Sequence, residues 1–330
     1  MRLFRTLNLV AVLLCFCVVV FGAYVRLADA GLGCPDWPGC YGHLTIPQTD
    51  QEVLRAEQAY PERPVEAPKA WKEMIHRYLA SVLGLLIVGL ALLSLKVREA
   101  PRVLPWALLG LVIFQGVLGM WTVTWQLKPL VVTAHLLGGM TTLSLLFWLW
   151  WSTRPARQLA VSATPALRAL ALAGLVAVVM QIFLGGWTST NYAALACPDF
   201  PTCHNTLSPE LDLPTAFDLW HGLGINYEYG ILDARARITI HWVHRLGAIA
   251  VTAVLLGLAW ALWRRGETLW KGCALAVVAA LSLQIVIGIS IVKLQLPLLL
   301  AASHNGGAAL LLLTLVTVTG LVWQARRSAA

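Results

Sequence analysis

Eight long apolar stretches alternate with shorter polar segments along the chain. A helix rises about 1.5 Å per residue, so about 20 apolar residues are enough to cross a hydrocarbon core of about 30 Å. The pattern therefore predicts an all-α integral membrane protein with eight transmembrane helices. The predicted spans are residues 7–27, 72–95, 104–126, 128–151, 167–189, 241–263, 270–292 and 296–322.

The first span has features of a secretory signal. Arg2 and Arg5 precede it, and residues 28–30 (Ala-Asp-Ala) imitate a cleavage site. Its apolar run is longer than that of an ordinary signal peptide. We therefore predict that it is retained as the first transmembrane helix.

Composition and charge support a membrane protein and predict its orientation. Hydrophobic residues make up 58% of the chain and charged residues 12%, which excludes a soluble globular domain. Basic residues gather at both termini and in alternate loops, so the positive-inside rule places both termini in the cytoplasm. The net charge of +8 is then an orientation signal, and we expect no nucleic-acid partner. These basic residues are Arg2, Arg5, Lys96, Arg98, Arg102, Arg154, Arg157, Arg168, Arg264, Arg265, Lys271, Arg326 and Arg327.

The chain contains an internal repeat. CPDWPGC at residues 34–40 returns as CPDFPTC at 197–203, and the His-Arg that opens a span at residue 76 returns at 244. FQGVLG and AHLLGGM in the first half likewise match LQIVIG and SHNGGAA in the second. The repeat predicts two tandem, similarly oriented four-helix bundles, covering residues 1–155 and 156–330.

Both cysteine loops fall on the outer side of the membrane in this topology, where disulfides persist. We predict bridges from Cys34 to Cys40 and from Cys197 to Cys203. A zinc site that recruits His43 or His204 is the alternative. It is the weaker interpretation, because each loop offers only two thiolates.

Each predicted bundle contains two histidines near the start of a span. They are His76 and His135 in the first half, and His244 and His304 in the second. Two imidazoles on facing helices can ligate a haem iron from both sides, whereas an interhelical hydrogen bond is the alternative role for any one of them. Two further sets of residues fit a haem. Arg77 and Arg245 could meet propionates, and glycines leave room for a flat ring at positions 138, 139, 306 and 307.

The two halves differ one helical turn before the first histidine. Glu73 precedes His76, whereas His241 precedes His244. Glu73 could support the helix dipole and pair with Arg77 at i+4. A carboxylate one turn from an iron ligand could equally transfer protons at a reacting haem.

These features together resemble the haem A synthase family over roughly residues 5–325. The resemblance rests on Glu-x-x-His-Arg at 73–77, His-Arg at 244–245, the histidines 135 and 304, and a cysteine pair in each half. It implies a bacterial inner-membrane enzyme that oxidises the C8 methyl of haem O to the formyl of haem A, with dioxygen and external electrons. It implies that His76 and His135 face haem O with Glu73 at the reactive edge, and that His244 and His304 hold a haem B cofactor.

The partners that this resemblance implies are the lipid bilayer, dioxygen, haem O synthase and an electron donor, either a quinol or a protein. The sequence contains no flavin, NAD or ferredoxin motif that could supply electrons. Three other functions stay open. They are a dihaem b-type cytochrome exchanging electrons with quinol, a quinone-linked disulfide oxidoreductase, and a transporter. The cytochrome would not need Glu73, the oxidoreductase would not need the histidines, and transporter repeats are more often inverted.

Overall fold

The computed structural model describes residues 1–154 and 161–327. Within these ranges eight helices are long and apolar enough to cross a membrane, which confirms the predicted all-α, eight-helix membrane fold. The elements in chain order are α1 (Arg2–Leu27), α2 (Asp50–Ala59), α3 (Ala67–Lys96), α4 (Val103–Thr124), α5 (Pro129–Ser152), β1 (Ser162–Ala163), α6 (Pro165–Thr190), α7 (Leu213–Ala216), α8 (Ala234–Trp263), α9 (Thr268–Lys293), α10 (Leu298–Gln324) and β2 (Arg326–Arg327). The strands β1 and β2 form one short parallel pair.

Several helices extend beyond the apolar spans that predicted them. Helix α8 begins at Ala234, ahead of the predicted start at residue 241, because the Asp233 side chain accepts a hydrogen bond of 2.8 Å from the Ala236 N–H. Helix α3 likewise begins at Ala67, with a proline in its first turn. The polar first turns of both helices are therefore helical although they lack an apolar signature.

The chain forms two compact units. Unit 1 comprises residues 1–146 together with 189–191 and 217–232. Unit 2 comprises residues 147–188, 192–216 and 233–330, of which 155–160 and 328–330 lie outside the described part. The predicted boundary between residues 155 and 156 therefore falls outside the described residues.

In unit 1, α1 packs on α3 and α3 packs on α4. Gly119 of α4 faces His135 of α5, and Gly139 of α5 faces Val19 of α1. These contacts close the four helices into a bundle.

Unit 2 repeats this arrangement. Helix α8 packs on α9 and α9 packs on α10, while Gly174 of α6 faces both Leu255 of α8 and Leu315 of α10. This closes a second four-helix bundle.

The repeat extends to backbone conformation in the helix connections. Gln126 and Leu127 have positive φ angles of 47° and 60° after α4, and Gln295 and Leu296 have 57° and 62° after α9. The Leu127 N–H donates to Thr122 and the Leu296 N–H donates to Ile291, both at 2.8 Å. The same left-handed turn therefore leads into the helix that contains the second histidine of each unit.

Candidate functional site

The four predicted histidines lie on α3, α5, α8 and α10, within about the first three turns of each helix. His76 and His135 are close enough to interact electrostatically in unit 1, as are His244 and His304 in unit 2. The structure therefore brings each predicted pair together within its own bundle.

The four histidines are only partly buried as residues, yet the Nδ1 atoms of His76, His135 and His304 are enclosed. Among the described residues, no hydrogen-bond partner reaches Nδ1 of His76, His135 or His304. A buried imidazole nitrogen without a partner is costly unless a bound group completes the site. The donor set fits a haem, because neutral imidazoles on facing helices are typical axial ligands.

Glutamine carboxamides support both histidines of unit 2. Gln181 of α6 donates to Nδ1 of His244 at 3.0 Å and to its backbone carbonyl at 2.9 Å. Gln284 of α9 donates to the His304 carbonyl at 3.0 Å and lies 3.4 Å from its Nε2. In the repeat, Val18 of α1 stands at the position that corresponds to Gln181, so unit 1 has no carboxamide there. The two units thus hold their first histidines differently.

Two glycines that we expected to leave room for a flat ring instead accommodate glutamine carboxamides, those of Gln115 and Gln284. A Cβ atom at Gly307 would lie 2.3 Å from Oε1 of Gln284, and one at Gly138 would lie 1.7 Å from Nε2 of Gln115. The space at Gly138 and Gly307 is therefore filled by a glutamine side chain from the neighbouring helix. The expectation that it is open was wrong at these two positions.

Both predicted disulfides are present, which confirms the sequence prediction. Cys34 bonds to Cys40 and Cys197 bonds to Cys203, with Cα–Cα distances of 4.8 and 4.6 Å. The four thiols are thus consumed as bridges, so they are not available as zinc ligands. Each bridge closes a loop directly beside the helix that contains the first histidine of its unit.

An aspartate organises each cysteine loop from within. Asp36 accepts backbone N–H bonds of 2.6 and 2.7 Å from Tyr41 and Gly42. Asp199 accepts bonds of 2.6 and 2.9 Å from the N–H groups of His204 and Asn205. The Thr202 hydroxyl and then these N–H groups hold the pKa of Asp199 well below its usual range. The Asp199 carboxylate is therefore charged at neutral pH.

Glu73 and Arg77 attach the first cysteine loop to α3. The buried Glu73 carboxylate accepts a bond of 2.9 Å from the Cys34 N–H and pairs with the Arg77 guanidinium. Arg77 also donates to the carbonyls of Asp36, at 3.0 Å, and Pro38, at 3.2 Å. We call these contacts between α3 and residues 34–39 the N-terminal latch.

His241 and Arg245 form the corresponding C-terminal latch to residues 197–202. Nδ1 of His241 lies 3.2 Å from the Cys197 backbone nitrogen, and its Nε2 lies 3.1 Å from Nε of Arg245, so an N–H donor faces each ring nitrogen. Arg245 also donates to the carbonyls of Cys197 and Thr202, both at 2.8 Å. A neutral imidazole accepts only one hydrogen bond, whereas a carboxylate accepts several. Glu73 can therefore accept hydrogen bonds from both the loop N–H and its arginine, whereas His241 can accept only one of the two.

Both arginines predicted to meet propionates are thus engaged by the cysteine loops. Arg77 and Arg245 each lie one turn after the latch residue, with their guanidinium groups against loop carbonyls. Each cysteine loop is held on the helix that also contains the first histidine of its unit, α3 or α8. The propionate role of these arginines stays a prediction.

The sequence did not indicate that residues 217–232 belong to unit 1. There the Tyr227 N–H donates to the Gln126 carbonyl at 3.0 Å, and Glu228 pairs with Arg63 at 2.6 Å. The Lys128 ammonium donates to the Gly222 carbonyl and lies 3.1 Å from the centre of the Trp220 ring. Burial lowers the pKa of Lys128. The sequence likewise did not indicate the positive φ angles at Gln126 and Leu127, which form the turn that Tyr227 contacts.

The geometry can be compared with known proteins. A family model described as a cytochrome oxidase assembly protein, COX15-CtaA, matches residues 5–316. The chain belongs to this family. A protein of Shewanella oneidensis named haem A synthase is 50% identical to the chain over 93% of its length and 92% of the relative's. A haem A synthase of Caulobacter sp. (strain K31) is 32% identical, covering 96% of the chain and 94% of the relative.

The COX15-CtaA match covers both bundles, including all four histidines and both cysteine loops. The resemblance noted from Glu-x-x-His-Arg and the paired loops is therefore confirmed at the level of the family. Membership agrees with the multi-pass helical fold and with a donor set suited to haem.

Proposed function

We propose that this protein is a haem A synthase that oxidises the C8 methyl of haem O to the formyl of haem A. The oxidation passes through hydroxylation and uses dioxygen and electrons from an external donor, either a quinol or a protein. The observation that carries the proposal is the pair His76 and His135, whose enclosed Nδ1 atoms have no hydrogen-bond partner among the described residues, in a member of the COX15-CtaA family. The names of the two relatives above support it.

We assign haem O to His76 and His135 in unit 1, and a resident haem B to His244 and His304 in unit 2. The assignment is supported by the glutamines, because Gln181 fixes the ring and backbone of His244 while His76 has no such carboxamide. A cofactor that stays bound favours fixed ligands, whereas a substrate must enter and leave. When bound, haem B supplies one-electron transfer.

Glu73 holds or moves a proton at the substrate end of unit 1. Its carboxylate lies one turn before His76, and both of its oxygens are engaged, by the Cys34 N–H and by Arg77. The corresponding His241 forms a latch of similar shape without a carboxylate. The difference between the units is therefore chemical rather than architectural, as expected for one reacting half and one supporting half.

The membrane orientation is part of the same proposal. Both termini face the cytoplasm of a bacterial cell, and the disulfide loops face the outer side of its inner membrane, where disulfides are stable. Haem O synthase, which would supply the substrate within the bilayer, is a partner of this site.

Single replacements of the four histidines by alanine test the proposal. We expect His244→Ala and His304→Ala to lose haem B, and His76→Ala and His135→Ala to keep haem B but accumulate no haem A. His43→Ala, three residues after the first cysteine loop, is the matched control and should behave as wild type. Two haem B per chain without any formyl product would instead identify a dihaem electron-transfer cytochrome.

A further inference from the structure

Each of the four histidine rings lies against a glycine of the helix that precedes it in its bundle. In every pair, the ring atom nearest to the position of a glycine Cβ is Cε1, the carbon between the two nitrogens. Each glycine therefore faces the Cε1 edge of its ring, with Nδ1 and Nε2 of the imidazole on either side of the contact. The pairs are Gly22 with His76, Gly119 with His135, Gly185 with His244, and Gly288 with His304.

The contacts differ in tightness. A methyl carbon at Gly22 would lie 2.8 Å from Cε1 of His76, which is closer than such atoms approach. The corresponding distances are 3.1 Å at Gly288 and 3.3 Å at Gly185, where the ring would have to move by a few tenths of an ångström. At Gly119 the distance is 3.6 Å, an ordinary van der Waals contact.

Other glycines of these helices do not show this contact. A methyl carbon at Gly84 of α3, Gly116 of α4 or Gly272 of α9 would meet no atom within 4 Å among the residues that the structure describes. Glycines such as Gly138 and Gly307 meet glutamine side chains instead. Contact with a histidine ring is therefore a property of the four glycines named above, rather than of every glycine in the described bundles.

We infer that Gly22, Gly185 and Gly288 are positioning residues that set the direction in which the imidazole nitrogens point. This inference rests on the proposed function, in which these rings hold haem. The absence of a side chain lets the Cε1 edge rest close to the neighbouring backbone, and added bulk would force the ring to tilt or retreat. Gly119 leaves enough room for a methyl group, so it does not constrain His135 in this way.

The inference is sharpest at Gly22. His244 is contacted by Gln181 as well as by Gly185, but in the repeat the position of Gln181 is occupied in α1 by Val18, an apolar residue that offers no hydrogen bond. Phe21, with its ring centre 6.4 Å from that of His76, completes the surroundings on α1. The glycine contact therefore contributes more to the ring orientation of His76 than to that of His244.

Alanine replacements in the full-length, detergent-purified protein test this inference. We measure the rate of haem loss and the electron paramagnetic resonance g-values of the ferric haem, using haem O for unit 1 and haem B for unit 2. Gly22→Ala and Gly288→Ala should shift the g-values and speed haem loss about tenfold to a hundredfold. Gly185→Ala should have a smaller effect, and Gly119→Ala should match wild type.

Gly84→Ala and Gly272→Ala are matched controls, because they add the same methyl to the same kind of helix in open space. Wild-type g-values and haem loss in both Gly22→Ala and Gly288→Ala would overturn the inference. Equal effects in the controls would also overturn it. If Gly22→Ala does not fold, Gly288→Ala and Gly185→Ala decide the question in unit 2. Should His244→Ala retain haem B with an unchanged spectrum, the proposed function fails instead.

Discussion

Replacing Glu73 separates the attachment of the cysteine loop, which its contacts show, from its proposed chemistry at the substrate haem. Glu73→Ala removes the acceptor of the Cys34 N–H and the anionic partner of Arg77. A hydrogen bond to a charged group contributes about 1.5–3 kcal/mol, and Arg77 keeps its loop carbonyls, so we expect a loss of about 3 kcal/mol in unfolding free energy.

Two milder replacements preserve part of the latch. Glu73→Gln keeps an oxygen for the Cys34 N–H and should cost about 1 kcal/mol, because the remaining bond is neutral. Glu73→His reproduces the residue found at 241, where a neutral ring accepts one bond, and should cost about 1–2 kcal/mol. Both variants lack a carboxylate, so we expect neither to form haem A.

The assay combines denaturant unfolding in detergent with extraction of the haems from cells that supply haem O. We expect Glu73→Gln and Glu73→His to remain folded with haem B bound and to accumulate haem O without formyl product. Glu66→Gln is the control, because Glu66 forms an exposed pair with Lys69 at 2.9 Å. Wild-type haem A production by Glu73→His would refute a chemical role and leave Glu73 as a latch residue alone.

Three further predictions concern the supporting residues. Gln181→Leu removes the bonds to Nδ1 and to the carbonyl of His244, which should lower stability by about 1–2 kcal/mol and shift the midpoint potential of haem B. Asp199→Asn should lower the unfolding temperature equally at about pH 6 and pH 8. The pKa of Asp199 is depressed in the folded state, so its stabilisation is complete above the unfolded pKa of about 4 and is lost below it. Replacing Cys34 and Cys40 together by serine should cost about 2 kcal/mol, as expected for so short a closed loop, without ending haem B binding.

Each of these predictions has a contradicting result. An unchanged haem B potential in Gln181→Leu would show that the carboxamide does not influence His244. A stability difference for Asp199→Asn that varies between pH 6 and pH 8 would point to another titrating group. Loss of haem B on removing the Cys34–Cys40 bridge would show that this loop supports more than its own unit. Gln115→Leu is a matched control for Gln181→Leu. It makes the same change in unit 1, so it should leave the midpoint potential of the haem B assigned to unit 2 unchanged.

The long helices and the repeat were predictable because hydropathy and motif spacing are local properties of the chain. The helix starts were not, since capping by Asp233 extends α8 through residues with no apolar pattern. The short helix α2 did have a sequence signal, a capping box formed by Thr49 and Glu52.

The candidate histidines were also predictable, because an ionisable side chain in an apolar span stands out. Their surroundings were not. The Cys34 N–H reaches Glu73 across 39 positions of the chain, and the glycine contacts join residues on separate helices. Such contacts depend on how helices pack, and no local pattern encodes them. For the same reason, Gly138 was expected to face open space although the Gln115 carboxamide fills it.

The most direct measurement is mass identification of the haems extracted from the purified protein after co-expression with a source of haem O. We predict haem B together with haem O or haem A in the wild type, with no haem A in Glu73→Gln. Haem B alone, at two per chain and with no formyl-bearing haem in the cells, would contradict the assignment of this chain as a haem A synthase.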